Sequence, residues 1–399
     1  MAALRPVHRL NNEARRGLHR ERVFRDRSHP FEIYDDAELF MRYRFRRADI
    51  MNLVDMVDNN ISVAERKGSL TPTLQVLIAL RFFACGSFQL VVGDLFGVSK
   101  ATISRTIHRV AAGFARLVPR HVRFHPQRET EAMKVVFHAV ANFPNVIGCV
   151  DCTHVKIATP AVNEHEYVNR KNDHTINVQL ICDADASIMN CVVRWPGSVH
   201  DARILRESPV FTKFETMPRP LEGFILGDSG YMLRDWLLTP YIHVANAEQQ
   251  RYNDSYCATR CIIERCNGIL KRRWHCLHTG LRYEPGKACQ IIMACIVLHN
   301  IAVKLRLPVP DEDDHPVDGD NDGNDGNNEG GVPTVTGRAK RDRLVQRYFS
   351  GMDMTGFDAT SSAWKVSTGV DGIIASAGVD TTIVLSSVAM TTALTRVST

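Results

Sequence analysis

No run of apolar residues in this sequence approaches the roughly 20 that a bilayer crossing needs. The longest, from Ile291 to Leu298, is stopped by His299 and Asn300, which predicts a soluble chain with no membrane partner. A secretory leader is not visible either, because Arg5, Arg9, Arg15 and Arg16 interrupt any early apolar core. The eleven cysteines are odd in number and lie mostly in apolar surroundings. They predict reduced thiols in an intracellular compartment rather than a disulfide framework. Lysine is absent from residues 1–47, whose positive charge is arginine, and both Lys and Arg are absent from the acidic residues 311–329. No nucleophile motif is present, which leaves an unrelated hydrolase without support.

What is present is a 399-residue chain, 44% apolar and 23% charged, with room for two or three domains and a sizeable core. The net charge of +5 is spread unevenly. Without the acidic run the remainder is distinctly basic, which suits a polyanionic partner. A solvated surface is the plainer reading of charge runs taken alone.

The chain is organised around Asn145–Lys156, an apolar run rich in Val and Ile that carries Asp151 at its centre and is flanked by Pro144 and Pro160. Such a run reads as a buried strand. A carboxylate is rarely buried there unless it is paired or binds metal. Asp228 ends a second apolar run, Phe224-Ile225-Leu226-Gly227, and Glu264 lies in a later helical pattern. Two strand-borne Asp and one helix-borne Glu suggest a divalent-metal site for phosphoryl transfer. Two such ions stabilise the attacking and leaving oxygens of a phosphodiester, and the protein supplies converging carboxylates.

In chain order, residues 1–30 read as a flexible Arg-rich terminus and 31–118 as a helical domain. Within it, Phe88–Phe96, the turn Gly97-Val98-Ser99 and a helix capped by Ser99 form a helix-turn-helix pattern. Lys100, Thr102, Arg105 and His108 would face outward; an ordinary helical hairpin is the alternative. Residues 119–308 form the next domain. A helix from Glu129 to Phe143 enters the Asp151 strand, and two strands, 176–182 and 188–195, form an antiparallel hairpin around Asp183–Ser187. A helix starts near Ser198, a strand spans 221–231, and helices cover 253–274 and 284–304. This order predicts an α/β fold, a ribonuclease-H-like mixed sheet flanked by helices. Residues 309–337 read as an acidic disordered linker. Residues 338–399 read as a basic short helix followed by a tail to which no function is attached.

Local evidence leaves two acids open. Glu264 is the lone acid on a basic helix, either a ligand or the partner of Arg260 at i,i+4. Asp201 lies just inside a helix start, where the helix dipole favours an acid in any case. Cys257, Cys261, Cys266, Cys276 and His278 lack the paired spacing of a zinc site.

Gly148-Cys149-Val150-Asp151-Cys152-Thr153-His154, Tyr167-Val168-Asn169-Arg170-Lys171, Trp195-Pro196-Gly197-Ser198, Leu226-Gly227-Asp228-Ser229 and Leu298-His299-Asn300 closely resemble the PIF/Harbinger transposase family, in order and spacing, over roughly residues 40–350. The resemblance implies a DDE-type nuclease that depends on Mg²⁺ or Mn²⁺. By it, Asp151, Asp228 and Glu264 are the catalytic acids, and Asp201 is similar to a further metal-binding acid, making Asp151, Asp201, Asp228 and Glu264 the metal set. His154, Arg170 and Lys171 match the motifs without a firm role.

The leading expectation is therefore a metal-dependent DNA endonuclease of transposase origin. The alternative is a domesticated DNA-binding or regulatory protein that keeps the fold without cutting. The resemblance also implies DNA and a Myb-like DNA-binding protein as partners, with a homo-oligomer as a further possibility. Lys271-Arg272-Arg273 and the basic cluster at 338–343 suit nuclear import or DNA backbone contact, so the nucleus is the expected location, with the cytoplasm as a second one.

Overall fold

The computed structural model describes residues 29–61, 69–310 and 334–351. The expected flexible N-terminus, most of the expected acidic linker and the tail beyond 351 lie outside these residues.

The N-terminal part is helical: α1 (Asp36–Tyr43), α2 (Arg47–Ile61), α3 (Pro72–Cys85), α4 (Gln89–Phe96) and α5 (Lys100–Ala115). Local chemistry sets their ends. Thr71 caps α3 through the Leu74 N–H with Pro72 in its first turn, and Ser99 caps α5 through the Thr102 N–H. Gly97 ends α4 at φ +61°, a conformation that costs glycine little. The helix pair falls where its signals place it, but α5 is largely enclosed. Thr106, Ile107 and Val110 are buried. His108, expected outward, is turned in with its ring 4.8 Å from that of Tyr283. Burial there lowers its pKa. Lys100 and Arg105 remain exposed.

Helix α6 (Gln127–Ala141) leads into β1 (Val146–Lys156), followed by β2 (Thr175–Cys182) and β3 (Ile188–Pro196). Next come α7 (Asp201–Arg206), α8 (Pro209–Glu215), β4 (Phe224–Leu226), β5 (Leu237–Leu238), α9 (Ala247–Arg273), α10 (Pro285–Lys304) and α11 (Val335–Tyr348). The sheet order is β3-β2-β1-β4-β5. β1 and β3 run antiparallel to β2, whereas β4 runs parallel to β1 and β5 parallel to β4. This is the expected ribonuclease-H-like mixed sheet. The strand expected over 221–231 has only three residues, and β5 is too short to leave an alternating pattern.

Each sheet face carries its own core. On one, Cys149, Val155, Val178 and Leu180 join residues of α9, α10 and the N-terminal helices in one hydrophobic cluster. Phe45 and Phe83 reach Trp274 with ring centroids 6.1 and 6.3 Å apart. On the other, Ile147, Val150 and Ile181 pack with Phe214 and Trp236. Helix α10 is long and apolar enough to cross a membrane by length and composition, but two-thirds of its apolar window is buried in this core, as befits an interior helix. Its Leu298-His299-Asn300 segment clamps the β2–β3 turn: His299 Nε2 bonds Ala186 O at 2.8 Å, and Asn300 bonds both the N–H and C=O of Ile188 at 2.8 and 2.7 Å.

Two motif expectations take structural form here. His154 Nδ1 is paired with Thr175 Oγ1 at 2.9 Å. A Cβ on Gly197 would fall 2.1 Å from Thr175 Oγ1 and 2.6 Å from Tyr167 O, so the Trp-Pro-Gly-Ser turn has room only for hydrogen. Lys271 and Arg273 are buried, so the Lys271-Arg272-Arg273 triplet is not an exposed basic signal.

Candidate active site

Alternation along β1 decides which way its acid points. Cys149 and Val155 belong to the core beneath α9, and Asp151 shares their parity and faces that helix. Cys152 points the other way, 3.4 Å from the Tyr231 hydroxyl. Asp228 follows β4, the parallel neighbour of β1. Its Oδ1 accepts the Gly230 N–H at 3.1 Å, and the Tyr256 hydroxyl of α9 bonds the carbonyl of Gly227, just before it, and that of Leu238 on β5. Asp201 is the first residue of α7, and Asn177 Nδ2 donates to its Oδ1 at 2.9 Å. Glu264 projects from α9, half exposed, and accepts from Arg260 Nη2.

The charge of the other three acids reaches Asp151. Burial pushes the Asp151 carboxyl up to about 8; Arg260 opposes this, while Asp228, Asp201 and Glu264 reinforce it. Burial also raises Asp228, followed by Asp201, against Arg260 and the Gly230 and Tyr231 N–H groups. An acid held this high among like charges marks a functional-site candidate.

The donor set is all hard oxygen from four separate elements, which fits Mg²⁺ or Mn²⁺. Arg260 answers part of its negative charge, with Nη1 3.9 Å from Asp151 Oδ1. The residues fit the ion by chemistry, although among the described residues no three His, Cys, Asp or Glu side chains already stand close enough to hold one. Cys257 and Cys261 are exposed whereas Cys266 and Cys276 are buried.

Three further side chains support the acids at the site. Asn267 Nδ2 donates to Asp151 Oδ2 at 3.1 Å. Asn177 is a buried polar residue inside an apolar strand, the same anomaly that singles out Asp151. Arg260 is legible as a partner of Glu264, but its reach to Asp151 depends on how α9 crosses the sheet. Arg170 lies at the rim, its Nη2 3.5 Å from Nδ1 of His200, the residue before Asp201.

Comparison with known proteins shows the family. Residues 150–300 match the family described as DDE superfamily endonuclease. A Mus musculus protein named "Putative nuclease HARBI1" is 36% identical over 297 residues, covering 72% of this chain and 85% of the relative. The Homo sapiens protein of that name is 36% identical over 279 residues, covering 69% and 80%. "Protein ALP1-like" of Arabidopsis thaliana is 26% identical over 272 residues, 64% of each. No solved structure matches the chain at a significant level. The chain belongs to the DDE superfamily endonucleases, within the PIF/Harbinger family.

Proposed function

We propose that this endonuclease-family chain cuts or transfers DNA phosphodiesters in a metal-dependent, two-ion reaction. Asp151, Asp228 and Glu264 are its catalytic acids and Asp201 a further ligand. The observation that carries the reading is the field that Asp228, Asp201 and Glu264 exert on Asp151, with the Arg260 guanidinium opposing it. Two Mg²⁺ or Mn²⁺ ions, when bound, supply Lewis-acid stabilisation of the attacking and leaving oxygens.

The chain's own groups hold the carboxylates ready. Asn177 fixes Asp201, the Gly230 N–H fixes one oxygen of Asp228, and Tyr256 ties α9 to the turn that carries Asp228. Arg260 keeps part of the acidic charge balanced while the ions are away. Four carboxylates balance two divalent ions, so the guanidinium is then left with a surplus charge that attracts a phosphodiester. Exposed Arg170 and Lys171, near the start of α7, suit a DNA backbone approaching Asp201. Lys100 and Arg105 on α5 extend the same reading to the helix pair. A nuclear location and a Myb-like DNA-binding partner belong with it.

A second reading, a domesticated DNA-binding protein that does not cut, draws on the Arg260 pairing with Asp151 and Glu264, which occupies two of the acids.

The test is incubation of supercoiled plasmid with the full chain in Mg²⁺, in Mn²⁺ and in EDTA. The proposal expects nicked and linear product with either ion and none in EDTA. Plasmid that is bound but never nicked, even with a Myb-like partner added, contradicts it and supports the second reading.

A further inference from the structure

Asn267 lies one turn beyond Glu264 on α9 and is 9% exposed. Its Nδ2 donates to Asp151 Oδ2 at 3.1 Å. With Asp151 ionised, as a metal ligand must be, its carboxylate accepts and does not donate, so the amide facing it turns its NH₂ inward. The consequence is an orphan: Asn267 Oδ1 is buried and has no hydrogen-bond partner. A buried acceptor left unpaired costs about 1–3 kcal/mol. Asn267 has its donor end committed to the acid at the centre of the site and its acceptor end left open, as is the Oδ1 of Asn177.

Asp151 is divided by this arrangement. Its Oδ2 is taken by the amide, and its Oδ1 lies towards Arg260, whose Nη1 stands 3.9 Å away, beyond hydrogen-bonding distance. Resting on the metal-dependent reading above, the geometry points to Asn267 as a positioning residue for cation binding. Its NH₂ selects which Asp151 oxygen is presented, and its orphan Oδ1 accepts a hydrogen bond from water ordered around the bound ion. Groups that orient a ligand in this way are typically worth about 10–100-fold in metal affinity.

The inference is tested on the full chain without DNA, by titrating Mn²⁺ and following the free ion by electron paramagnetic resonance. Melting of the metal-free protein is recorded in parallel. Wild type, Asp151→Asn, Asn267→Leu and Asn267→Ser are compared. Asp151→Asn is expected to remove the high-affinity binding. Asn267→Leu, which deletes the orphan acceptor with little change in volume, is expected to weaken Mn²⁺ binding about tenfold or more while the metal-free melting temperature holds. Asn267→Ser serves the same comparison should the leucine variant not fold. A merely structural role predicts the opposite pattern, a lower melting temperature with unchanged affinity. Wild-type affinity in a folded Asn267 variant overturns the inference and leaves the proposed function standing. Failure of the wild type to bind Mn²⁺ overturns both.

Discussion

The Nη1 of Arg260 stands 3.9 Å from Asp151 Oδ1, while its Nη2 is bonded to Glu264. A pair expected as a local contact along one helix therefore also crosses to the sheet. The guanidinium holds the Asp151 carboxyl lower than burial and the other acids would leave it.

The same position makes Arg260 a competitor for incoming cations. Like charges about 4 Å apart repel by about 1–4 kcal/mol, depending on how much water screens them. Arg260→Gln is expected to tighten Mn²⁺ binding about threefold to tenfold and to slow DNA cleavage. Calorimetric titration beside a cleavage assay checks this. Weaker Mn²⁺ binding in the variant would show that the guanidinium organises the acids rather than competing for them.

Asp151 is expected to cost the metal-free protein stability. Its carboxyl is pushed from the ordinary 3.8 to about 8, so between these values the folded chain retains a proton that the unfolded chain has released. Stability from this group is present at low pH and is lost as pH rises through about 8. Asp151→Asn, which cannot ionise, is expected to unfold about 1–3 kcal/mol harder than wild type in EDTA at pH 8. The advantage should shrink towards pH 4. Equal urea midpoints at both pH values would contradict this.

His125 offers a separate pH signature. Its Nε2 is 2.8 Å from Oδ2 of buried Asp183, and that bond raises its pKa above the ordinary 6.5. The stabilisation is complete below 6.5 and fades as pH rises through the elevated value. His125→Asn is expected to flatten part of the stability decline between about pH 6 and pH 8, read from denaturation midpoints. Parallel profiles for variant and wild type would count against the pairing.

Asn300 gives a test of packing alone. It bonds the Ile188 N–H and C=O and the His121 carbonyl at 2.8, 2.7 and 2.8 Å. Asn300→Ala leaves these groups without their partner and is expected to lower stability by about 2–4 kcal/mol. Mn²⁺ affinity should be unchanged in the folded protein. A loss below about 0.5 kcal/mol would show that water replaces the amide.

The sequence was most informative where one segment carries its own pattern. The Asp151 strand, the hairpin around Asp183–Ser187, the Thr71 and Ser99 caps and the apolar body of α10 all follow from local periodicity and end chemistry. Short elements escaped it. β4 has three residues and β5 two, and parallel pairing with β1, not propensity, makes them strands. Helix α9 begins at Ala247, earlier than its apolar pattern, because Asn246 caps it through the Gln249 N–H. Contacts between distant segments were hidden as well. His108 is drawn inward by Tyr283, and Asn267 acquires its role only because α9 lies across β1 at Asp151. The acids could be found because a carboxylate in an apolar strand is anomalous, whereas an asparagine on a polar helix is not.

The most direct test of the central claim is single-turnover nicking of supercoiled plasmid in Mn²⁺ by wild type, Asp151→Asn, Asp228→Asn and Glu264→Gln. The account predicts that each isosteric change lowers the rate by about 10³-fold or more while the variant stays folded. Nicking at the wild-type rate by all three would place the chemistry elsewhere and contradict the site.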